Sequence, residues 1–481
     1  MSRGVVVTPP TEASPLGAPN RRRRNSSNDV ESGGFVISDC VLGSRSRPLF
    51  NVSWCDRNCN FNSSWADCRA DATVARLRQC LSESTHSDGG EVAMMPLRSM
   101  ALYGTLFGLL LASHPSTVDA VSNQIRVSGA WEFDELSVID RVLLRIRHDV
   151  RSVATHLLRT LSPSGGGHGG QAPGGEATAD AGALLATIGH QDGVELVDIG
   201  MNIGSLSFPV WWSGFSVRGF EAMPGNVQLL RMTECVNRNA SKPRLVITHC
   251  GLTSWHQDGH RCDIVSGVTN VGDGMLRCPP YPLLPGEAIR GQVTLRALDL
   301  VIDHNEEERS PPALFRVLSQ RFNERQLSQV SNGSSVGDVV PSSSSSSSVA
   351  SLAAAPVIPW AGLSRESDVH ERLTFLHNKH RVVKIDVEGE ELNVVRGAPR
   401  FLSGPDAPLF ILTEVWDTLD SVGYARLMRR HGYRFRAPTV LGPWIWIDTD
   451  DEAAQWKAQQ KGMVNAIFLR RGAEALLPDG R

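Results

Sequence analysis

Hydrophobic positions along this 481-residue chain change from helical to strand-like spacing near residue 195. Between Leu136 and Leu157, apolar residues recur at alternating steps of three and four, which places them on one stripe of a helix. Beyond it, short apolar runs alternate with two helical stretches, predicting strands at 195–199, 217–220, 244–250, 381–387 and 409–415 and helices at 227–237 and 390–396. This alternation predicts an α/β domain with a parallel sheet between helices. We expect the long helix to pack on the sheet, with a short coiled coil as the alternative.

Other stretches lack such periodicity and divide the chain into regions. Residues 1–93 are rich in Pro, Ser, Asn and Arg, which predicts a disordered leader. A helical segment with a glycine-rich linker is expected over 94–190, and the α/β domain over 191–481. Within that domain, 254–285 is expected to be a hairpin or an irregular insertion. The serine-rich stretch at about 304–367 is expected to be a disordered loop, because its composition cannot recover the entropy cost of ordering.

An apolar run over 101–112 is too short to cross a hydrocarbon layer of roughly 30 Å as a helix. It has the length of a buried helix at the start of the domain, and it also resembles the apolar region of a signal peptide. Both interpretations remain open, and so does the localisation, with a secretory and a cytoplasmic protein as the alternatives. No stable membrane span is predicted.

Composition limits the expected partners. The formal net charge is −3, so the chain has no long-range attraction to a polyanion and nucleic acid is not an expected partner. The basic run at 21–24 is interpreted as part of a solvated tail. Five cysteines fall in the leader, and their spacing matches no paired zinc motif, so disulfides formed in an oxidising compartment are the favoured interpretation: Cys40, Cys55, Cys59, Cys68 and Cys80.

A glycine turn follows the first predicted strand of the α/β domain, in the sequence Val-Asp-Ile-Gly-Met-Asn-Ile-Gly at 197–204. Gly200 lets the chain turn sharply, and Gly204 lets the next helix approach closely. Asp198 stands before the turn, and Glu221 ends the second strand, where an acid can accept both hydroxyls of a ribose. The two acids around the turn predict a site for S-adenosyl-L-methionine, a cofactor with an amino group, a sulfonium and a ribose. A tight turn with capping acids is the structural alternative.

Ionisable residues also cluster at the end of a later strand, in Lys-Ile-Asp-Val-Glu-Gly-Glu-Glu at 384–391. Lys384, Asp386 and Glu388 share one face by the two-residue period of a strand. A carboxylate there is useful either as the base that removes a proton from a methyl-accepting hydroxyl or as a metal ligand. Glu414 ends the neighbouring strand. The alternative is an ion-pair network around Lys384, with the last two glutamates capping a helix.

These motifs resemble the FkbM-type S-adenosylmethionine-dependent methyltransferases. The resemblance covers about residues 190–300 and 380–440 and rests on the stretches at 197–204, 220–224, 294–299, 384–398 and 412–414, with 465–469 similar to the last strand. Trp131 and Glu132 also resemble a segment that precedes this domain in eukaryotic members. Met201 departs from the small residue usual in the glycine turn, and the serine-rich insertion is atypical.

The resemblance implies a class I methyltransferase fold, a Rossmann-like seven-stranded sheet with helices on both faces and the last strand antiparallel. It implies methyl transfer to a hydroxyl of a sugar, glycan or small metabolite. The implied cofactor-binding residues are Asp198, Gly200, Met201, Asn202, Gly204 and Glu221. The implied catalytic residues beside the acceptor are Asp386, Glu388 and Lys384, and no metal ligand is assigned. The loop at 270–276 and the pair Trp444 and Trp446 either shape the acceptor pocket or serve in packing.

Two other functions remain open on the sequence alone. One is a non-catalytic module of the same fold that binds the cofactor or a glycan. The other is a nicotinamide-dependent oxidoreductase, which the missing G-x-G-x-x-G turn disfavours. Neither the acceptor nor the oligomeric state is readable from the chain.

Overall fold

The computed structural model describes residues 93–96, 109–114, 119–128, 131–161, 193–237, 243–302, 312–333, 369–416, 420–439 and 443–477. The leader, apart from residue 93, lies outside the described residues. The same holds for residues 162–192, which include the glycine-rich linker, and for most of the serine-rich insertion, at 303–311 and 334–368.

An eight-stranded sheet forms the centre of the described structure. Its strands are β3 (Val194–Ile199), β4 (Ser216–Glu221), β5 (Leu245–His249), β10 (His380–Ile385), β11 (Phe410–Val415), β12 (Tyr433–Pro438), β13 (Trp444–Ile447) and β14 (Val464–Arg470). They lie in the order β13-β12-β14-β11-β10-β3-β4-β5. Neighbours from β11 to β5 run parallel, whereas β14 is antiparallel to both β11 and β12. Strands β3 and β10 are buried along their whole length, as expected for central strands covered on both faces.

The observed strand number corrects one expectation. The mixed α/β sheet with helices is present, but it has eight strands rather than seven. The additional strand is β13, which pairs antiparallel with β12 at the edge of the sheet. The last strand in the chain, β14, is antiparallel to its neighbours, as expected.

The core divides into two layers because side chains alternate across each strand. Leu196 of β3 and Val382 of β10 belong to one layer, whereas Val197 and Val383 belong to the other. The first layer includes α2 (Phe133–Leu161), α3 (Ser207–Trp212), α4 (Pro224–Asn237), α6 (Ala313–Gly333) and α7 (Val369–His377). The second includes α5 (Leu298–Val301), α8 (Glu391–Arg396), α9 (Pro399–Ser403), α10 (Ser421–Arg430) and α11 (Asp450–Gln459).

A buried ion-pair group joins the three central strands near their amino-terminal ends. The Glu195 carboxylate of β3 accepts from Arg218 of β4 at 3.3 Å and from Arg381 of β10 at 3.1 Å. Burial alone would raise the pKa of Glu195, but the two guanidinium groups lower it below its ordinary value. The single carboxylate therefore offsets part of the positive charge of the two guanidinium groups inside the sheet.

The segment before the sheet differs in part from its predicted form. The long helix α2 packs on β3, β10 and β11, as the hydrophobic stripe predicted. However, Leu110–Ser113 forms strand β2, paired antiparallel with β1 (Ala93–Pro96), so a helix over 101–112 is wrong at its carboxyl end. Residues 101–108 lie outside the described residues. A short helix, α1 (Ala120–Ser128), follows. None of the described helices combines the length and apolarity needed to span a membrane.

Part of the serine-rich insertion is ordered, contrary to expectation. Ala313–Gly333 forms α6, which contacts α2 and α7. Leu314, Phe315 and Leu318 are buried on this helix, and Phe322 packs partly against the same core. These residues give the helix an apolar stripe at positions i, i+1, i+4 and i+8, which the polar average composition of the insertion concealed.

The chain between β5 and α5 forms a second, smaller sheet. It contains β6 (Gly251–Thr253), β7 (Arg261–Gly267), β8 (Met275–Arg277) and β9 (Glu287–Ala297) in the order β6-β9-β7-β8. The predicted hairpin is the antiparallel pair β7–β8. A disulfide joins Cys262 of β7 to Cys278 beyond β8, and Cys235 is also disulfide-bonded.

The order of α6 can be tested by two leucine substitutions on the same helix. Leu318 is fully buried, so Leu318→Ala is expected to lower the free energy of unfolding by about 2–5 kcal/mol. Leu327 is 70% exposed, so Leu327→Ala is expected to change it by less than about 0.5 kcal/mol. Urea unfolding of the full chain measures both values, and equal effects of the two substitutions would contradict the packing of α6.

Candidate functional site

The glycine turn after β3 brings the two sequence motifs into contact. The backbone N–H groups of Gly200 and Met201 both donate to the carbonyl oxygen of Phe220, at 2.9 and 3.0 Å. Gly200 has a φ of +86°, and a Cβ at this position would lie 1.7 Å from the carbonyl oxygen of Asp386. Only glycine fits here, because the conformation is left-handed and the backbone of the second motif leaves no space for a side chain.

Glu221 at the end of β4 is fixed by the same turn. One carboxylate oxygen accepts from the Asn202 N–H at 2.7 Å and the other from the Met223 N–H at 2.8 Å. The side-chain amide of Asn226 lies 3.5 Å from the carboxylate. Burial raises the pKa of Glu221 to about 7, although these hydrogen bonds oppose the shift. Asn202 has a φ of +52°, a conformation that asparagine tolerates better than most residues.

Three predicted cofactor-binding residues lie behind this turn rather than on the surface of a pocket. Asp198 is buried and accepts from the Ser207 hydroxyl at 2.6 Å, and burial raises its pKa above the usual value. Met201 packs over Gly219, where a Cβ would lie 2.1 Å from the Met201 sulfur. Gly204 has a φ of +84°, and a Cβ there would lie 2.4 Å from the Phe208 ring. These contacts support the turn from within the core.

Lys384 is a buried cation shared by carboxylates from different parts of the chain. Its ammonium group lies 2.9 Å from Asp386 and 3.1 Å from Glu132, which precedes α2 by one residue. Burial would lower the pKa of Lys384, but the surrounding carboxylates raise it well above its ordinary value. Burial raises the pKa of Glu132 to about 7, against the effect of Lys384. The ion-pair network considered in the sequence analysis is therefore present, and it also orients Asp386.

The loop after β10 carries a second group of acids. Glu388 has a φ of +53° and Gly389 a φ of +98°, so the chain turns sharply here. The buried carboxylate of Glu391 accepts from the backbone N–H groups of Val387 and Gly389, which fixes the turn. Asp273, on the loop between β7 and β8, lies close enough to Glu388 to affect its pKa. Burial, followed by the neighbouring Asp273, raises the pKa of Glu388 to about 9.

Glu414 of β11 extends this acidic group. Burial raises the pKa of Glu414 to about 9, and the neighbouring Asp386 contributes to the shift in the same direction. Glu388 also raises this pKa, whereas the charge of Lys384 opposes the shift. A carboxyl placed among other acids and away from water favours its neutral form.

A cleft lies at the carboxyl ends of β3, β4 and β10, where open α/β sheets bind ligands. Its polar lining comes mainly from carboxyl, amide and backbone groups. None of its described lining residues is Lys, Arg or His. The lining residues are Ile199, Gly200, Asn202, Phe220, Glu221, Ala222, Asn226, Cys250, Gly251, Leu252, Gly272, Asp273, Gly274, Leu276, Asp386, Val387 and Glu388.

The cleft brings together five of the nine residues predicted for the site. Gly200, Asn202, Glu221, Asp386 and Glu388 line it. The other four predicted residues support it from behind and are absent from its described lining: Asp198, Met201, Gly204 and Lys384. The loop at 270–276 contributes to the wall, whereas Trp444 and Trp446 do not belong to the lining and stand on the edge strand β13.

Sequence reasoning did not assign Glu132, Asn226 or Asp273 to the site. Glu132 contacts Lys384, which lies 252 residues later in the sequence. Asp273 lies near Glu388, from which it is separated by more than one hundred residues. Asn226 donates to the Gly272 carbonyl at 3.1 Å and so connects α4 to the β7–β8 loop. The polar tripeptide Gly-Asp-Gly at 272–274, between two short strands, was the available signal for Asp273.

Comparisons with protein-family models, with curated proteins and with solved structures found no match to this chain. Within the described part of the chain, no three His, Cys, Asp or Glu side chains are arranged to hold a metal ion.

Two glycine substitutions can separate the steric effect of the Asp386 backbone near Gly200 from the effect of the left-handed conformation of Gly200. Gly432 has nearly the same φ, +87°, but a Cβ added there would have no atom within 4 Å. Gly432→Ala is therefore expected to cost about 1–2 kcal/mol of stability through conformation alone. Gly200→Ala is expected to cost more than about 3 kcal/mol, because the methyl group also displaces the Asp386 backbone. Chemical unfolding measures both, and similar losses would contradict the close approach.

The raised pKa values predict how stability depends on pH. A carboxyl whose pKa is raised on folding stabilises the folded state below its ordinary pKa and loses this contribution as the pH rises through the higher value. Because the pKa of Glu414 is raised to about 9, the free energy of unfolding is expected to fall between pH 5 and pH 9. Glu414→Gln cannot titrate and should make this decline shallower.

Glu390→Gln is the matched control for this measurement. Glu390 accepts from Asn393 and does not belong to the described lining of the cleft, so the substitution should leave the decline as in the original chain. Urea unfolding at several pH values gives the slopes. A decline of equal steepness in the Glu414→Gln variant would disprove the assignment.

Proposed function

We propose that this chain is an S-adenosyl-L-methionine-dependent methyltransferase that methylates a hydroxyl group. The observation that carries the proposal is the cleft at the carboxyl ends of β3, β4 and β10, which is lined by four carboxyl groups and, among its described lining residues, by no basic side chain. Such a lining suits a ligand with positive charge and hydroxyl groups.

The charge of the lining distinguishes this cofactor from a dinucleotide. A pyrophosphate needs backbone N–H groups of a glycine-rich turn or basic side chains, and the carboxylates of this cleft would repel it. S-adenosylmethionine carries a sulfonium and an ammonium group and no phosphate. The acidic lining therefore favours the methyl donor over the nicotinamide cofactor that was one alternative.

Specific lining residues fit the parts of the cofactor. Glu221 would hold the ribose, because each of its oxygens, after accepting one backbone N–H, keeps a further lone pair for a hydroxyl. The apolar part of the wall would contact the adenine and comes from Phe220, Leu252 and Leu276. Gly200 leaves the edge of the sheet open, since a side chain there would collide with Asp386.

The bound cofactor would supply an activated methyl group on sulfur, and the protein would supply position and a proton acceptor. Lys384 and Glu132 orient the Asp386 carboxylate at the wall of the cleft. A hydroxyl placed against this carboxylate becomes a better nucleophile because its proton has an acceptor. Holding donor and acceptor in line is expected to account for most of the rate increase.

The proposal includes a class I methyltransferase fold and membership of the FkbM-type family. A mixed sheet whose last strand is antiparallel is compatible with a class I methyltransferase fold that carries one additional edge strand. The FkbM-type resemblance gains support from Glu132, because this residue of the preceding segment contacts Lys384 of the second motif. A sugar, glycan or small hydroxylated metabolite remains the proposed acceptor.

Binding and transfer can be tested separately on the full chain. S-adenosylhomocysteine at about 100 times its Kd is expected to raise the Tm by roughly 5 °C. Glu221→Gln should weaken this binding by about tenfold or more, because a charged acceptor for the ribose is lost. Asp386→Asn should retain most of the Tm increase but lose about 100-fold or more of the transfer of labelled methyl groups to a panel of glycans, lipids and hydroxylated metabolites.

Glu390→Gln serves as the control in both measurements and should behave like the original chain. An unchanged Tm in the presence of S-adenosylhomocysteine would refute the proposed cofactor. Binding without transfer to any acceptor, together with no effect of Asp386→Asn, would instead support a non-catalytic binding module.

A further inference from the structure

We propose that His114, on the segment before β3, is a positioning residue of the cofactor site. Its imidazole fixes the orientation of the Asn226 side-chain amide, and this amide holds Glu221 and the β7–β8 loop in the form that binds the methyl donor. The inference rests on the proposed function and assigns to it a residue that lies outside both sequence motifs.

Asn226 of α4 is buried and connects three parts of the cleft wall. Its side-chain nitrogen lies 3.1 Å from the carbonyl oxygen of Gly272 on the β7–β8 loop. The same nitrogen lies 3.4 Å from the side-chain oxygen of Asn202 in the glycine turn and 3.5 Å from the Glu221 carboxylate. One amide therefore joins the loop, the turn and the acid that would hold the ribose.

The orientation of this amide follows from what its neighbours can accept. A backbone carbonyl oxygen is only an acceptor, so the amide nitrogen must face Gly272 and the amide oxygen must face the opposite side. On that side, the Asn226 oxygen lies 2.8 Å from His114 Nε2. Because an amide oxygen is also only an acceptor, His114 must carry a proton on Nε2 and donate it to Asn226. This hydrogen bond therefore selects one of the two orientations that the amide can take.

The backbone on both sides of His114 is held against the domain. Before it, Ala112 of β2 donates its N–H to the Thr233 hydroxyl on α4 at 2.8 Å. After it, the buried Asp119 accepts from the Gly272 N–H at 3.0 Å. A Cβ on Gly272 would lie 2.4 Å from the Asp119 carboxylate, so the loop approaches this segment closely. These two contacts limit the movement of His114 relative to Asn226.

The start of α1 provides further contacts to the same loop. The Ala120 N–H donates to the Asn270 side-chain oxygen at 3.1 Å, and the Asn270 amide donates to Asp273 at 2.8 Å. Asp119 also accepts from the Ser122 N–H at 2.7 Å, so its carboxylate both caps α1 and holds the loop. The segment before β3 therefore supports one wall of the cleft.

Loss of the His114 hydrogen bond allows the Asn226 amide to turn over. Its oxygen then faces the Gly272 carbonyl and the Glu221 carboxylate, and acceptors placed against each other repel and lack donors. Either the acid or the loop must move, and both line the cleft. We therefore expect His114 to control the affinity for the cofactor through Asn226, without touching the cofactor itself.

Calorimetric titration of the full chain with S-adenosylhomocysteine tests this role through two variants of similar shape. His114→Gln keeps a donor, because its amide nitrogen can replace Nε2 of the imidazole, and should bind within about threefold of the original chain. His114→Glu places an acceptor there and should weaken binding by about tenfold or more. His114→Ala supplies neither group and should weaken binding by about three- to tenfold.

A double-substitution cycle shows whether His114 acts through Asn226. Asn226→Ala alone is expected to weaken binding by about tenfold. Adding His114→Ala should then weaken it by less than about a further twofold, because members of one hydrogen-bond network do not act additively. This cycle carries the test even if the His114→Glu variant does not fold.

His370→Glu is the matched control for the introduced carboxylate. His370 is exposed on α7 and does not belong to the described lining of the cleft. The variant makes the same change of side chain away from the site, so it should bind S-adenosylhomocysteine like the original chain.

The outcomes separate this inference from the function on which it rests. If the original chain and all His114 variants bind S-adenosylhomocysteine equally, the inference is wrong and the cofactor assignment stands. Equal binding by the Gln and Glu variants, or full additivity of the two alanine substitutions, would also overturn it. If the original chain does not bind this ligand, the proposed function and the inference fail together.

Discussion

At the centre of the sheet, Lys384 of β10 lies opposite Asp198 of β3, and just beyond them the Asp386 N–H donates to the Ile199 carbonyl at 2.9 Å. This parallel pairing joins segments that are almost two hundred residues apart. It places the glycine turn of the first motif against the backbone of the second so closely that Gly200 tolerates no side chain. The cleft, the orientation of Asp386 and the path of the Glu388 loop all follow from this contact.

Charge balance is the second constraint on the site. One buried ammonium group, Lys384, interacts with Asp386, Glu132 and Asp198, whereas burial and neighbouring acids raise the pKa values of Glu388 and Glu414. Because a buried carboxylate without a partner is costly, the raised pKa values of Glu388 and Glu414 are the expected response of an acid-rich cavity. The proposed methyl donor, as a cation, would supply further positive charge to this cavity. The same arrangement is the basis of the proposed cofactor choice.

The sequence predicted the regular core well and its additions poorly. The strands at 194–199, 216–221, 380–385 and 410–415 appear within a residue or two of their expected positions, because apolar runs between turn residues leave few alternatives. Helix α6 was missed because the average composition of the insertion is polar, although Leu314, Phe315 and Leu318 form an apolar stripe. The extra strand β13 and the strand at 110–113 depend on pairing partners that local patterns do not identify.

By itself, the sequence determined that the chain forms an α/β sheet and that glycine and carboxylates stand at the ends of its strands. These features are local, since side-chain period and turn geometry are set by neighbouring residues. The tertiary structure decided which of these residues line the cleft and which support it. In the structure, the cleft is supported from behind by Asp198, Met201, Gly204 and Lys384, which do not belong to its described lining. The residues of the site that the sequence did not predict are Asp273, Asn226 and Glu132. Contacts across one hundred or more residues depend on packing of the whole sheet, which no local spacing encodes.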